Sequence, residues 1–356
     1  MRAAGTITEQ DALQILGGSR RPAEHAVDYA PPRPPIYGES ERWAALEAMT
    51  PACLPATRVL ELPGAQVQGA RGWVVVDDRA ITSLSWWESH ALEPNLAGDE
   101  CTRERRLDGT LLNLATMMGK KNYGHFLLDG LGRLAVTELA GIRVEEVDWV
   151  LVPGFDTAAT RRMLDAAEIP PEKRIVPRRA LAVTPDVVLA PSMPGTTRVY
   201  RPSLPRYLRT LSQPAARAPR RLYITRPDDA RRPLTNRPEL ARLAMSHGFT
   251  PIDPMGSDLA ALMGSADVVL GEHGAALADL AFCRPGTRVI ELIPSDHMHP
   301  YYFSLAMAAD LDYAAVVCRS AEVRPPDRPG PSPHSVEVPL DALSDALSDA
   351  LAALPA

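Results

Sequence analysis

Residues 266–291 read ADVVLGEHGAALADLAFCRPGTRVIE. The apolar run Ala266 to Leu270 has the character of a buried strand and ends in Gly271. Glu272, His273 and Gly274 fall where the chain turns. Ala275 to Ala278 open a helix that ends near Cys283, Pro285 and Gly286 turn the chain, and Thr287 to Ile293 make a second strand. In an open parallel sheet, ligands bind at such a strand-to-helix turn. The unpaired N–H groups of the helix's first turn make it an anion site. The glycines let backbone approach a ligand closely, and His273 at a helix N-terminus favours the neutral imidazole or bonds the anion directly. A tight connection with a capping polar residue accounts for the same letters.

Outward from this stretch the pattern repeats. Arg221 to Thr225 reads as a strand, Arg237 to His247 as a helix with Pro238 in its first turn, Phe249 to Ile252 as a short strand and Asp258 to Ser265 as a helix. Tyr301 to Ala309 is an expected helix and Tyr313 to Cys318 an expected strand. Between the first strand and helix lies TRPDDARRPLTNRPEL, which holds Arg226, Arg231, Arg232, Asn236 and Arg237. Arginine forks match phosphate oxygens; the alternative is a solvated loop in which Asp228 and Asp229 pair with the arginines. Two anion-prone features on successive turns of one sheet suit a diphosphate.

The first half alternates in the same way. Strands are expected over Trp73 to Asp77, Ala80 to Leu84, Thr110 to Ala115, Asp148 to Pro153 and Arg174 to Pro177, with a helix over Thr157 to Ala167. Leu181 to Leu189 reads as a strand interrupted by Pro185. These elements divide the chain into an irregular Pro-rich leader (1–50), an α/β domain (51–212), a linker (213–220), a second α/β domain (221–320), and a Pro-rich excursion with a terminal amphipathic helix (321–356). Within the leader, helices are expected over Glu9 to Leu16 and near Glu41 to Met49.

Three further features bear on chemistry. His125 and Asp129, four apart, share a helix face, where a carboxylate acts as general base or orients the imidazole that does. Gly130-Leu131-Gly132-Arg133-Leu134-Ala135 fits the G-x-G-x-x-A dinucleotide fingerprint, although Asp129 would set a negative charge beside the pyrophosphate. Trp86 and Trp87 can line a sugar, or one of them is simply core. The bulk numbers describe a globular chain: 356 residues, 46% hydrophobic, 23% charged, net charge −6. The absence of a basic block argues against nucleic acid as a partner. Four cysteines without metal-like spacing read as reduced thiols. The N-terminal residues lack an apolar signal core, so a cytoplasmic location is expected, with contact at the inner membrane face left open.

Several of these segments together resemble glycosyltransferase family 61, in its bacterial capsular or surface-polysaccharide type. They are Arg221-Leu222-Tyr223-Ile224-Thr225-Arg226, Asn236-Arg237-Pro238-Glu239-Leu240, His247-Gly248-Phe249, Ala266 to Ala275 and Gly286 to Leu292, preceded by Asn122 to Asp129, which is similar to the family's N-x-x-H-x-x-x-D segment. The resemblance implies an α/β fold of GT-B type, two Rossmann-like domains with parallel sheets facing an interdomain cleft. It implies an inverting, metal-independent transfer from a nucleoside-diphosphate sugar, UDP-linked, to a hydroxyl of a polysaccharide or a small molecule, with no cofactor. Arg226, Arg232, Asn236, His273, Gly274 and Ala275 would hold the diphosphate and Glu291 the ribose, while His125 and Asp129 would stand at the reaction centre. Asn122, Trp86 and Trp87 are acceptor-side candidates, and Glu88 is the next carboxylate to consider as base. Asp279 departs from the family, which usually has Asn there. The other classes carried are an NAD(P)-dependent oxidoreductase, resting on Gly130 to Ala135, and a non-catalytic nucleotide- or carbohydrate-binding module.

Overall fold

Residues 266–291 supply the two middle strands of a parallel sheet, Val268–Glu272 and Arg288–Pro294. Arg221–Ile224 and then Thr250–Ile252 continue it on one side, and Asp312–Ser320 on the other. Numbered along the chain, these strands lie side by side as second, first, third, fourth, fifth. The order therefore reverses between Arg221–Ile224 and Val268–Glu272, and such a switch point leaves a crevice at the carboxyl ends of the strands. Every residue of Val268–Glu272 is buried, as expected for a parallel strand covered on both faces. The segment after it, Ala275–Phe282, winds as a 3₁₀ helix rather than an α-helix, and Leu277 through Phe282 are buried without exception.

This computed structural model describes residues 3, 5–84, 101–196, 198–226, 231–322 and 334–354. Trp86, Trp87, Glu88, Asp228, Asp229 and most of the Pro-rich excursion lie outside the described residues. The chain divides into two units, Met1–Asp28 with Cys53–Thr197, and Tyr29–Ala52 with Arg198–Ala356.

The second unit contains the sheet just described. Part of the expected leader belongs to it: Ile36–Gly38 pairs in parallel with Asp312–Ser320 as a further strand. Trp43, 1% exposed, follows on Trp43–Glu47 and sits edge-on to Phe303 at 5.4 Å. The terminal helix Leu340–Ala352 buries Leu343, Ala346 and Leu347 in the core that also holds Leu240 and Ala244 of Arg237–Ser246. Its repeated Asp-Ala-Leu-Ser is thus a buried apolar face with a polar back.

The first unit departs from a single parallel sheet. One of its two six-stranded sheets has a parallel set, Arg174–Ile175, Trp149–Leu151, Thr110–Asn113 and Val187–Pro191, extended by antiparallel Thr57–Pro63 and Ser19–Glu24. The other is mostly antiparallel and contains Trp73–Val76 and Arg79–Ile81. Pro185 does more than interrupt a strand. Leu181–Thr184 pairs in the second sheet and Val187–Pro191 in the first, because a residue without an N–H cannot continue a ladder. The two sheets share one core, with Val67, Val74 and Val183 from one packed among Leu60, Leu111 and Val188 of the other. The first fifty residues are more regular than a leader: Glu9–Leu16 is the expected helix, with Thr8 accepting from Asp11 N as N-cap, and strands flank it. Among the described residues, no helix is long and apolar enough to cross a membrane.

Candidate functional site

Arg221–Ile224 and Val268–Glu272 run side by side and carry Arg226 and His273 out at the switch-point edge. Arg226 donates through Nη1 to the His273 carbonyl and through Nη2 to Arg231 O at 3.0 Å. Arg232 donates through Nη2 to that same His273 carbonyl at 3.2 Å. Two guanidinium groups therefore converge on one backbone oxygen. Arg232 is 8% exposed, its backbone is left-handed at φ 62°, and its buried Nε has no hydrogen-bond partner among the described residues. Burial, reinforced by the charge of Arg226, lowers the Arg232 pKa to about 10. Burial also lowers that of Arg226, against the pull of Glu272. Buried cations short of partners are completed by an anion. Gly274 is where the Arg226 fork lies against the backbone: a Cβ there would stand 3.1 Å from Nη1. Ala275 starts the 3₁₀ helix, whose first N–H groups have no acceptor inside it.

Beneath this edge is a support that the sequence reading missed. Glu272 Oε1 accepts from the Tyr223 hydroxyl at 2.8 Å, and Oε2 from Arg237 Nη2 at 2.9 Å. Arg237 Nη1 in turn donates to Arg226 O at 2.9 Å. Glu272 thereby fixes the backbone that aims Arg226. Its alternating position on the strand, pointing back toward Tyr223, was the available signal.

His273 is oriented from behind. Its Nδ1 meets Glu291 Oε1 at 2.5 Å, and Glu291 Oε2 accepts from the Tyr313 hydroxyl at 2.5 Å. His297 and Tyr302 stand edge-on to the ring, each at 5.1 Å. Burial holds the His273 pKa below the ordinary imidazole value; Glu291 pulls the other way, while Arg232 and Arg226 add to the lowering. Two expectations are corrected here. Glu291 is 0% exposed with both oxygens engaged, so it does not face a ribose; it positions His273. Asn236 does not face a phosphate either: Nδ2 donates to Val338 O at 2.8 Å and Oδ1 accepts from Val338 N at 3.1 Å, which clamps the strand leading to the terminal helix.

In the first unit, His125–Leu131 forms a π-helix that runs on into the α-helix Arg133–Leu139. π-turns of this kind are uncommon and concentrate at functional positions. Within it, His125 Nδ1 meets Asp129 Oδ2. Asp129 is 0% exposed, whereas the His125 side chain keeps 15%. As a direct base Asp129 does not fit; it orients His125, and the tautomer that donates from Nδ1 leaves Nε2 as the acceptor. Asn122, an acceptor-side candidate, uses its Oδ1 to cap the segment, accepting from Gly124 N at 2.8 Å. The dinucleotide fingerprint is not a phosphate loop, because Gly130 to Ala135 lie inside this helical run. Gly130 is small for packing: a Cβ would come within 2.4 Å of Pro153 Cγ. Arg133, at one of the variable positions of that motif, is buried and donates to Asp129 O, Pro191 O and Leu84 O. The oxidoreductase reading loses its only support.

Fold and site together define a mixed α/β protein with a candidate anion seat at a sheet switch point and a His–Asp pair on a π-helix. Residues 123–290 match the sequence model of the family Glycosyltransferase 61. The matched stretch begins two residues before His125 and ends one residue before Glu291. A comparison with curated proteins gives no match.

Proposed function

We propose that this glycosyltransferase moves a sugar, with inversion, from a nucleoside-diphosphate donor, UDP-linked, to a hydroxyl of a polysaccharide or small-molecule acceptor. The proposal includes a GT-B arrangement in which the second unit supplies the donor seat and the first supplies the base, at a cytoplasmic location. The observation that supports it most is the convergence of Arg226 and Arg232 on the His273 carbonyl, with the Arg232 Nε buried and lacking a partner among the described residues. Seated there, a diphosphate meets two forks and the N–H groups at Gly274 to Ala276.

The acceptor O–H gives its proton to Nε2 of His125, which Asp129 keeps in the required tautomer. The oxygen attacks the anomeric carbon as the bond from that carbon to the diphosphate oxygen breaks. Charge that builds on the leaving group is met by Arg226 and Arg232, a role a divalent cation fills in other transferases, so no metal or cofactor is part of the proposal. A thermal-shift panel tests the donor seat. A nucleoside diphosphate at about 100 times its Kd adds about 2.7 kcal/mol of stability. Stabilisation by one member of a nucleoside-diphosphate panel, lost in Arg232→Ala, is the expected result. Stabilisation by nicotinamide dinucleotides alone would overturn the proposal.

A further inference from the structure

The donor seat contains an imidazole whose role the two arginines do not explain. His273 has Nδ1 tied to Glu291 Oε1 at 2.5 Å, and Glu291 in turn accepts from Tyr313 at 2.5 Å. Nε2, on the opposite edge of the ring, has no hydrogen-bond partner among the described residues. We propose that His273 is the third cation of the seat: it is neutral in the free protein and takes up a proton at Nε2 when a diphosphate binds. The ring then donates from Nδ1 to Glu291 and from Nε2 to a phosphate oxygen. This inference rests on the proposed diphosphate seat.

The charges around the ring argue for the change. Arg226 and Arg232, from the loop after Arg221–Ile224, both press on the His273 carbonyl. Glu291 comes from the neighbouring strand and Tyr313 from the one beyond; His297 and Tyr302 close the sides. Asp296 acts on Arg232, and Glu272, next to His273 in the chain, is paired with Arg237. Without a ligand, burial and the two guanidinium groups favour the neutral ring. Two phosphate charges offset those guanidinium groups and leave the Glu291 carboxylate as the dominant neighbour, which favours imidazolium. The proton comes from solvent. In the transfer step the charged ring neutralises the departing diphosphate, so His273 is a catalytic residue while Glu291 and Tyr313 are positioning residues.

Because the bound state holds one more proton, binding strengthens as pH falls. The test is titration calorimetry of the tightest-binding nucleoside diphosphate of the panel, in Tris and in HEPES at about pH 8, where a terminal phosphate with a second pKa of about 6 is already ionised. The inference expects an uptake approaching one proton per nucleotide and a Kd that rises by up to about tenfold per pH unit across the alkaline range. His273→Asn and Glu291→Gln should abolish the uptake, and His297→Gln should retain it. Should either buried variant fail to fold, histidine-labelled NMR of the wild-type protein carries the test: one imidazole must convert to imidazolium on adding the nucleotide. Binding without proton uptake, uptake that survives His273→Asn, or no imidazole converting would overturn the inference and leave the diphosphate seat standing. No binding by any nucleoside diphosphate would overturn the seat as well.

Discussion

Asp129 has no exposed surface, whereas His125 keeps 15% of its side chain open. Burial therefore divides the base into a part that touches the acceptor and a part that aims it. Asp129→Asn should lower turnover by about 10²–10⁴-fold, the usual worth of a general base, while nucleoside-diphosphate affinity stays at the wild-type value. Steady-state kinetics with parallel titrations would show it; an unchanged turnover would remove the pair from the chemistry. Arg226→Ala should act on both quantities, cutting turnover by about 10²–10³-fold through loss of leaving-group stabilisation and also weakening nucleotide binding. Asn236→Ala separates clamp from ligand contact. Removing its two bonds to Val338 should cost about 1–3 kcal/mol in denaturant titration with affinity unaltered. At this scale, the position of Arg226, Arg232 and His273 at the sheet edge was legible, because each comes after a buried apolar strand in sequence. The fates of Glu291 and Asn236 were not, since they depend on partners at Tyr313 and Val338 that only strand register brings close.

Among elements, the π-helix and the 3₁₀ helix were both expected in other forms. Nothing in the letters of His125 to Leu131 announces a wide turn, and within it Gly130 seats closely on Pro153. Gly130→Ala should destabilise the first unit by about 1–3 kcal/mol through overpacking against Pro153, measured by urea unfolding. A shift near zero would mean that the helix yields freely. The N-terminal helix offers a pH test. Glu9 joins it to Thr57–Pro63 through Arg58 Nε at 2.6 Å and to Ser83 at 2.5 Å. Burial raises the Glu9 carboxyl, but Arg58 and Ser83 outweigh it and the net pKa is lowered from 4.5. A depressed folded-state pKa contributes stability above the ordinary value that is lost as pH falls below it. Stability of the wild type should drop in acid more steeply than that of Glu9→Gln, which carries no such carboxylate. The flanking strands Gly5–Ile7 and Ser19–Glu24 were unreadable for a different reason: one is short and the other polar and mostly exposed, and each exists through pairing with distant residues.

For the whole molecule, the alternation of strand and helix gave the α/β class, and the 2-1-3-4-5 order then located the switch point that sequence alone does not show. The division into units was less legible. Residues 29–52 join the second unit by adding Ile36–Gly38 to its sheet, opposite Ala315 to Val317, a long-range pairing that no local pattern encodes. The central claim is that this protein uses a nucleoside-diphosphate sugar seated on Arg226 and Arg232. The most direct measurement is release of nucleoside diphosphate from a panel of sugar nucleotides, followed without acceptor. The account predicts slow hydrolysis of one donor class by the wild type, with loss of that release in Arg226→Ala. Release at the wild-type rate from Arg226→Ala, or no release from any sugar nucleotide, would contradict it.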